Sequence, residues 1–410
     1  MAAIAGLRGT GDWGTDERPK NFRENILWMN PNGTAPIFAL TAKAKKRVVD
    51  DPEFAWWNES NALVHLQVNG ALGASDTTVV VDSTDPSSSD QTLNYGTAKH
   101  LKQGDLLMVK PASDSASFTP EILRVLSVAS DTTFTVERGA AGSTAASIAN
   151  DLYLVLIGSA YAEGTGVPEA ISRNPIKSYN YTQIFKNSYE LTGTADKTAS
   201  RTGSPWSNDK KRKMFDHSRD IELAMLFGRR NETTGSNGKP LRTMGGFRSL
   251  IPSANQYVYS GSTTLVDLMD RISPVFDWDT GAGDSRIVFA GNRALTRLGK
   301  ILLATSNIQI NYTGTVKSYG IDFMEMQMPR GRLYFKSHPL MSRDPMYQDS
   351  LFVLDFDAIR YVAMKDRDTK VKDDVQAEDE DVRRGFIQTE CSLQLDFGGN
   401  TCAYIGGIQV

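Results

Sequence analysis

The stretch EGTGVPEAISRNPIKSYNYTQIFKNSYELTGTA, residues 163–195, decides the organisation of this chain. Its lead, residues 163–169, has the form Glu-Gly-x-Gly-x-Pro-Glu and predicts an extended, exposed backbone beginning at Glu163. No residue type typical of catalysis is concentrated here. Apolar and aromatic side chains that favour pleated backbone follow the lead: Tyr179, Tyr181, Ile184, Phe185, Tyr189 and Leu191. An extended arm with this much apolar surface needs a surface to lie against, and we expect it on another copy of the chain.

The overall composition is that of a folded, soluble protein. The 410 residues suffice for two or three domains, and 40% hydrophobic with 23% charged residues argue against wholesale disorder. A net charge of −3 argues against tight non-specific binding to nucleic acid, which requires many lysine and arginine contacts to phosphates. No run approaches the roughly 18 apolar residues of a membrane span, and no secretory signal is visible. We therefore expect synthesis in the cytoplasm and no contact with membranes.

The first residues predict an arm rather than a domain. Residues 1–50 are rich in Gly, Asp, Asn and Pro with aromatic residues interspersed, and 36–47 predict one short helix with a basic end. Aromatic side chains in a loose arm usually anchor on a neighbouring surface. The candidates for such anchoring, in the arm and in the segment after it, are Trp28, Phe38, Trp56 and Trp57.

The residue pattern changes between residues 67 and 157. Short strand-like runs such as TTVVVDS, DLLMVK and TFTVERG recur there, separated by Gly, Ser, Asp and Pro. They predict a small all-β sandwich or barrel of five or six strands. Because this part interrupts an otherwise continuous extended chain over 51–66 and 158–200, we expect it to be an inserted domain.

A long helix is predicted over about 204–230. Ser204 can cap it, Pro205 suits the first helical position, and Gly228 weakens its end. Further helices are predicted at 262–278 and 290–304, and strands dominate after them, which indicates the α+β class. The apolar residues of the long helix lie near helical spacing: Met214, Phe215, Ile221, Met225 and Leu226.

The stretch 163–195 resembles the extended loop of tailed-phage major capsid proteins with the HK97-type fold, in particular the SU10-like branch. Three further stretches support the resemblance through their order along the chain. TFTVERGAAGSTAA (133–146) is similar to a β-rich insertion of that branch, and IVFAGNRALTRLGKILL (287–303) resembles the strand and helix of the capsid A-domain. Residues 351–408 resemble the closing strands. The resemblance covers most of the chain after about residue 20.

This resemblance implies an α+β, HK97-like capsid fold with an inserted small all-β domain. The implied parts are an N-terminal arm (1–50), an extended-loop region (51–66 and 158–200), the inserted β-rich domain (67–157), a P-domain (201–261 and 351–410) that contains the spine helix, and an A-domain (262–350).

No set of residues converges on a catalytic, cofactor or metal site. Gly9-x-Gly11-x-x-Gly14 matches the dinucleotide fingerprint as a string, but no strand enters it and no helix leaves it. Cys391 and Cys402 supply neither a disulfide framework nor a zinc set, and the alternation of Cys391 with apolar residues directs it toward a core.

Two charged runs have a simple and a functional interpretation. DDVQAEDED (373–381) predicts a solvated acidic loop in a hairpin, and its functional interpretation is weak binding of cations. KKRK (210–213) lies in the predicted long helix, where four consecutive residues fan around the axis and form a solvated face. Its functional interpretation is that Lys211 and Arg212 form inter-subunit salt bridges or touch packaged DNA weakly and non-specifically.

The sequence therefore predicts a structural protein and not an enzyme. The resemblance implies a major capsid protein, synthesised in the host cytoplasm, that self-assembles into hexamers and pentamers of an icosahedral phage head enclosing double-stranded DNA. A portal protein, a scaffold and decoration proteins are further expected partners, and no cofactor is expected. The candidate inter-subunit contacts are Trp28, Phe38, Trp56, Trp57, Glu163, Tyr179, Tyr181, Phe185, Lys211 and Arg212.

Two other classes remain as alternatives at this point. A tail or baseplate component built around the same kind of β module is disfavoured by the long helix and the α+β block after it. A soluble carbohydrate-binding protein or enzyme would need a pocket of clustered polar residues, whereas the aromatic clusters lie in the segments predicted to be arms.

Overall fold

The computed structural model describes residues 36–37, 45–59, 65–83, 97–110, 120–171, 175–200, 203–278, 280, 283–304, 315–318 and 321–410. Trp28, Phe38 and the glycine string at 9–14 lie outside these residues. No helix in the described part of the chain is both long and apolar enough to cross a bilayer. The helices are α1 (Gly193–Lys197), α2 (Pro205–Phe227), α3 (Phe247–Leu250), α4 (Leu265–Ile272), α5 (Asn292–Ala304) and α6 (Pro339–Arg343).

Strands make up most of the remaining regular structure. In chain order they are β1 (Lys45–Val49), β2 (Glu53–Asn58), β3 (His65–Gln67), β4 (Thr78–Val80), β5 (Asp105–Val109), β6 (Ile122–Val128), β7 (Thr133–Glu137), β8 (Tyr153–Ser159), β9 (Ile176–Tyr181), β10 (Gln183–Thr192), β11 (Asn231–Thr234), β12 (Pro240–Thr243), β13 (Gln256–Val258), β14 (Ser285–Ala290), β15 (Thr315–Ser318), β16 (Ile321–Met328), β17 (Gly331–Ser337), β18 (Leu351–Leu354), β19 (Ile359–Met364), β20 (Lys370–Lys372), β21 (Val382–Leu395) and β22 (Ala403–Gly406).

The long helix α2 has the ends that the sequence predicts. The Ser204 hydroxyl accepts a hydrogen bond from the Ser207 N–H (3.5 Å), and Pro205 occupies the first turn, where no backbone donor is needed. The chain leaves the helix at Gly228, where a Cβ would lie 2.3 Å from the Ala224 carbonyl oxygen and 2.7 Å from that of Met244. A side chain at position 228 would therefore force apart the helix end and the segment that packs on it.

The apolar stripe of α2 is buried only in the C-terminal half of the helix. Ile221, Met225 and Leu226 are fully buried, whereas Met214 and Phe215 are about half exposed. The difference arises because the main apolar core lies beneath the C-terminal half alone. The predicted stripe is therefore correct for the last two turns and wrong for the middle of the helix.

One apolar core joins two sheets and the long helix. A seven-stranded sheet, ordered β13-β22-β18-β14-β17-β16-β15, has apolar clusters on both faces. On β14, Ile287 and Phe289 contact the cluster shared with α2, while Val288 and Ala290 contact the cluster shared with α4 and α5. The first cluster also takes residues from a second sheet, ordered β1-β19-β21-β10 with β20 paired to β21.

The predicted division at residue 350 does not coincide with a boundary between these sheets. We expected residues 351–410 to complete the sheet of the P-domain. Instead, β18 and β22 are interior strands of the seven-stranded sheet, and only β19 to β21 join the other sheet. The physical reason is that all residues of β18 and β22 are buried, so these strands require a sheet that is covered on both faces.

The basic segment before residue 50 is a strand and not the end of a helix. Lys45–Val49 pairs in parallel with Ile359–Met364 and forms an edge of the second sheet. Lysine-rich sequence favours helix locally, but burial of Val49 against Phe54 and Val362 overrides that preference. The prediction of a helix extending to residue 47 is wrong at this end.

Strands β3 to β8 form a small closed barrel with its own core. Their order is β3-β8-β5-β6-β7-β4, all neighbours pairing antiparallel. Hydrogen bonds from Asn69 N–H to the Val80 carbonyl (2.9 Å) and from Asp82 N–H to the Gln67 carbonyl (3.0 Å) join the last strand to the first. A separate apolar cluster fills the interior. That this barrel is an insertion into a simpler fold stays a prediction.

A buried ion pair organises the loops at one end of the barrel. Arg138 donates from Nε and Nη2 to the two carboxylate oxygens of Glu121, at 2.7 and 2.9 Å. Its remaining donors bind the carbonyls of Gly73, Asp76 and Ala146, so all five guanidinium N–H groups are used. Burial alone would raise the pKa of Glu121, but the Arg138 hydrogen bonds and two backbone N–H groups outweigh it and lower that pKa.

Loss of this arginine should open the barrel. Arg138→Met leaves the Glu121 carboxylate buried without its partner, which we expect to destabilise the barrel by about 3 kcal/mol. The matched control is Arg124→Met, since Arg124 pairs with Glu137 at 3.3 Å on the exposed outer surface and contributes less than about 1 kcal/mol. Native-state hydrogen exchange of peptides covering 120–146 measures both effects. Equal protection in the two variants would contradict the organising role of Arg138.

Candidate functional site

A two-stranded ribbon connects the barrel to the body of the subunit. β2 pairs antiparallel with β9 from Glu53 opposite Tyr181 to Asn58 opposite Ile176. Because side chains alternate along each strand, one face of the ribbon turns inward with Phe54, Trp56 and Asn180. The other face carries three of the predicted contact residues, Trp57, Tyr179 and Tyr181.

Two of the predicted contact residues have their side chains inside their own chain. Trp56 is 8% exposed and stacks on Phe54 with 5.9 Å between ring centroids. Phe185 is 7% exposed and lies edge-on to His217 in the main core. Both residues support the ribbon and the adjoining hairpin from within. The prediction of direct contact with a neighbour is therefore carried forward only for the remaining candidates.

Asn180 fastens the ribbon to the body through a fully used amide group. Its Nδ2 donates to the carbonyls of Gly245 (3.0 Å) and Leu393 (2.7 Å). Its Oδ1 accepts from the backbone N–H of Gly245 (2.8 Å) and of Tyr181 (2.9 Å). The side chain is wholly buried, so each of these bonds is shielded from water. The amide thus joins β9, β21 and the segment after β12 at one point.

The outward face of the ribbon combines aromatic rings with cations. Trp57 is 64% exposed, and the rings of Tyr179 and Tyr181 meet edge-on at 5.8 Å. The Arg230 guanidinium lies 3.8 Å from the centre of the Tyr179 ring and donates to the Tyr179 carbonyl (2.6 Å). Lys177 pairs with Glu53 at 3.4 Å. Stacking and hydrogen bonding fix Arg230 in place while its guanidinium stays exposed.

The extended lead that begins at Glu163 is exposed to solvent in the isolated subunit. All fifteen residues from 157 to 171 are exposed, and Val167 is 97% exposed. Gly158 and Ser159 end strand β8 and pair with β5, and beyond them Ala160 N–H donates to the Gly104 carbonyl (2.8 Å) and Thr165 N–H closes a turn onto the Ala162 carbonyl (3.3 Å). An apolar side chain as exposed as that of Val167 gains hydrophobic stabilisation only when another surface covers it.

A long hairpin lies beside α2. β10 and β21 pair over ten residues, from Gln183 opposite Cys391 to Thr192 opposite Val382. His217 on α2 bonds Asn187 on β10 (2.6 Å) and Thr389 on β21 (2.7 Å). Burial lowers the pKa of His217, so the neutral ring bridges helix and hairpin. The acidic loop 373–381 lies between β20 and β21, as predicted.

The basic cluster on α2 fans around the helix axis. Lys210 pairs with Asp373 at 2.5 Å, and Lys213 lies 3.8 Å from Asp216. Arg212 is exposed and lies 3.2 Å from Asp209. Lys211 is exposed and has no ion pair in the described part of the chain. The structure thus brings Lys211 and Arg212 to the surface but not to the aromatic face of the ribbon.

The ionisable groups of the body do not converge on a reaction centre. Burial raises the pKa of the Cys391 and Cys402 thiols to about 12 each, which keeps both protonated and unreactive. Among the described residues, no group of three metal-ligating side chains comes together. Where the ribbon meets the body, a cavity of about 370 Å³ has Trp57, Trp278 and Phe397 in its walls, and its Asp396 is bound to Arg360.

A family model described as SU10 major capsid protein matches residues 6–409. The chain belongs to the SU10 major capsid protein family. It is 26% identical over 437 residues to the major capsid protein of Pseudomonas phage PaMx41, covering 100% of this chain and 97% of that relative. The resemblance drawn from the residues is thereby confirmed, and so is the role of a structural component of a phage virion.

Solved structures, two of them capsids by their titles, are similar to this SU10-family chain at low sequence identity. The capsid of Myoviridae phage XM1 has a TM-score of 0.44 at 9% identity, covering 95% of this chain and 97% of that one. The capsid of an empty GTA particle has a TM-score of 0.45 at 8% identity, covering 96% of each chain. A structure from Mycobacterium phage Bobi has a TM-score of 0.43 at 9% identity, again covering 96% of each.

The predicted α+β, HK97-type capsid fold agrees with the architecture of this family member. The structure has the long capped helix, an extended ribbon and two sheets around a shared core. The sequence analysis did not identify Asn180, which attaches the ribbon to the body, or Arg230, which places a positive charge beside Tyr179. A polar residue at an inward position between Tyr179 and Tyr181 was the signal for Asn180. Arg230 gave no comparable signal, because its contact with Tyr179 spans fifty-one residues.

Replacing one amide should loosen the ribbon of this capsid protein. Asn180→Asp preserves shape but turns two donors toward the Gly245 and Leu393 carbonyls into an acceptor. We expect local opening of β9 to become easier by about 2–3 kcal/mol. The control is Asn58→Asp, on the same inward face but half-exposed and with one side-chain bond, to Ser178 (3.0 Å). Native-state hydrogen exchange of β9 amides measures both, and indistinguishable protection would contradict the fastening role.

Proposed function

We propose that this chain assembles through hexamers and pentamers into an icosahedral phage head that encloses double-stranded DNA. The observation that carries the proposal is the match of the SU10 major capsid protein model to residues 6–409. The uncovered segment 157–171 and the exposed ribbon face support it, because both offer surface that their own subunit leaves free. In this role the chain catalyses no reaction and needs no cofactor.

We infer that assembly is stabilised because the extended segments of each subunit, here called limbs, are buried against neighbouring subunits. Each limb gains apolar burial, about 25 cal/mol per Å², only when a neighbour is present. The cost of association is then shared among several contacts per subunit. Repeated weak contacts can stabilise a closed shell while any single contact can still rearrange. The proposed contact residues are Trp28, Phe38, Trp57, Glu163, Tyr179, Tyr181, Lys211 and Arg212.

Each part of the chain has a proposed task. The arm (1–50) laces neighbouring subunits, and the extended-loop region (51–66 and 158–200) lies along an adjacent one. The barrel (67–157) projects from that loop and meets neighbours or decoration proteins. The P-domain (201–261 and 351–410) and A-domain (262–350) form the shell wall and the capsomer centres.

Other partners follow from the life cycle of a DNA-filled head. We propose a portal protein at one vertex, a scaffold during assembly and weak, non-specific contact with packaged DNA. The net charge of −3 favours such weak contact, since a shell that bound DNA tightly everywhere would hinder its movement. Lys211 and Arg212 are the proposed points of contact with DNA or with a neighbouring subunit.

Electron microscopy of the purified chain tests the central proposal. We expect closed shells or hexameric and pentameric capsomers, because the limbs are stabilised only on neighbouring copies. Tubes or small rings would indicate a tail component, and a monomer at high concentration with no lattice would refute self-assembly. Sedimentation velocity on the same sample measures the assembled fraction.

Removal of the first thirty residues tests the lacing role of the arm. We expect the 31–410 chain to fold, because the shared core lies in the described body, but to form shells of reduced stability. Circular dichroism reports folding, and thermal disruption followed by light scattering reports shell stability. Heads of normal stability would show that the arm does not lace the subunits together.

Reversal of the exposed cations on α2 tests their proposed contact. Lys211→Glu combined with Arg212→Glu should reduce shell formation or its resistance to salt, because repulsion replaces attraction at the contact. Unchanged assembly and unchanged salt resistance would assign these residues to a solvated face only.

A further inference from the structure

The N-terminal arm enters the core of its own subunit at Pro36 and Ile37. Both residues are buried, and Ile37 belongs to the apolar cluster that also contains Met225 of α2 and Met341 of α6. This attachment precedes strand β1, which pairs with β19 at the edge of the second sheet. The arm is therefore fixed to the body before the chain reaches β1.

A buried carboxylate binds the backbone of the arm at this point. Glu222 of α2 is fully buried, and its Oε1 accepts a hydrogen bond from the Ile37 N–H at 2.9 Å. The same oxygen lies 2.7 Å from Nε2 of His338, a histidine that is also fully buried. Removing a carboxylate from water is costly unless hydrogen bonds satisfy it, so both donors contribute to its presence in the core.

The ring of His338 is held in one orientation by α6 and by the seven-stranded sheet. Its Nδ1 accepts from the Met341 N–H at 3.4 Å, which assigns the ring proton to Nε2 and makes that nitrogen the donor to Glu222. The His338 backbone N–H donates to the Ala290 carbonyl of β14 at 2.8 Å, and the ring lies edge-on to Phe289. His338 therefore connects Glu222 to the seven-stranded sheet.

Glu222 Oε1 thus joins three parts of the subunit, namely the arm, α2 and the seven-stranded sheet. If Ile37 leaves its place, Oε1 loses a donor while the carboxylate is still in the core, and an unsatisfied buried acceptor is costly. The carboxylate then gains by turning toward another donor or toward water, and that movement weakens its bond to His338. Hydrogen bonds that share one atom are coupled in this way.

We propose that Glu222 is a latch that seats the arm at Ile37 and couples the seated arm to the junction between α2 and the seven-stranded sheet. Apolar burial of Ile37 alone would hold the arm without such coupling, because the hydrophobic effect has no preferred direction. A hydrogen bond has a narrow range of distance and angle, so Oε1 serves both donors only when Ile37 and His338 occupy their places together.

The latch goes beyond the proposed function, because it exists in the single subunit. A seated arm keeps α2 and the seven-stranded sheet in one arrangement, and a displaced arm permits them to shift. Where the arm laces neighbouring subunits, as proposed above, a pull on the arm reaches the shell wall through Glu222.

Displacement of Ile37 in the full-length chain tests the coupling. Ile37→Asp places a second carboxylate beside Glu222 and should drive the arm out of the core. Native-state hydrogen exchange of the peptide 338–343 measures the junction, because the Met341 amide is bonded to the His338 ring. We expect its exchange to become about tenfold faster. Ile37→Val keeps the N–H and most of the apolar side chain, and should raise this exchange by at most about threefold.

Glu222→Gln tests whether the arm and the junction share this atom. The amide keeps the shape but loses the charge that strengthens both hydrogen bonds, so exchange of 338–343 and of peptides that contain Ile37 should each rise about tenfold. The double variant, Ile37→Asp with Glu222→Gln, should also remain about tenfold above the natural chain, because the first change already opens the bond that the second weakens. Independent contributions would instead multiply to about a hundredfold.

Glu390→Gln is the matched control. Glu390 of β21 is also a buried carboxylate, and it is bonded to Thr182 (3.0 Å) and Arg367. In the described part of the chain it forms no bond with Ile37 or His338, so its change should leave the exchange of both peptides as in the natural chain. Circular dichroism shows whether each variant is folded.

The other outcomes decide for or against the latch. Unchanged exchange of 338–343 in Ile37→Asp refutes the coupling, and an increase of about a hundredfold in the double variant refutes the shared atom. The barrel has its own core, so an equal rise in the exchange of 120–146 would show general loosening and would also refute the latch. If Ile37→Asp does not fold, fast exchange around Ile37 in Glu222→Gln supports the latch and slow exchange refutes it. These measurements report on the subunit, so their result is independent of whether the chain forms shells.

Discussion

The shared apolar core is the constraint on which the rest of this molecule depends. The last turns of α2, the inner face of the β1-β19-β21-β10 sheet and one face of the seven-stranded sheet all bury side chains in it. Because β18 and β22 are buried on both faces, the two sheets cannot separate without exposing their most apolar strands. The two sheets and the long helix are thus held together by one core, while the ribbon and the barrel have smaller apolar clusters of their own.

Specific polar contacts take over where the core ends. The ribbon is attached through the four hydrogen bonds of Asn180, and the barrel loops are gathered by the five donors of Arg138. Both groups are buried, which makes their bonds strong and their loss costly. Beyond the end of β8, the segment 160–171 belongs to none of these apolar clusters and contains no buried side chain. The subunit therefore consists of a body with a large core, limbs anchored by buried polar groups, and an exposed segment.

How far the sequence predicts this structure depends on whether the deciding contacts are local. The helix ends at Ser204, Pro205 and Gly228 are set by capping within a few residues, and they were predicted correctly. The helix predicted over 36–47 overlaps the start of the strand Lys45–Val49, because the strand's partner lies more than three hundred residues away at β19. The same distance effect hid the mixed origin of the seven-stranded sheet. Of the candidate site, the sequence predicts the exposure of Glu163, whereas the outward direction of Trp57 and the inward direction of Trp56 and Phe185 require the strand register.

The closed barrel has a consequence for crowded assembly. An open sheet of short strands would offer unpaired N–H and C=O groups along its edges, and those groups readily recruit strands from other molecules. In a particle that packs many identical chains side by side, such edges would promote aggregation at high local concentration. Within the described residues, the bridge between Val68 and Val81 joins β3 to β4 and so closes the sheet. The barrel can therefore stand at a crowded surface and interact through side chains alone.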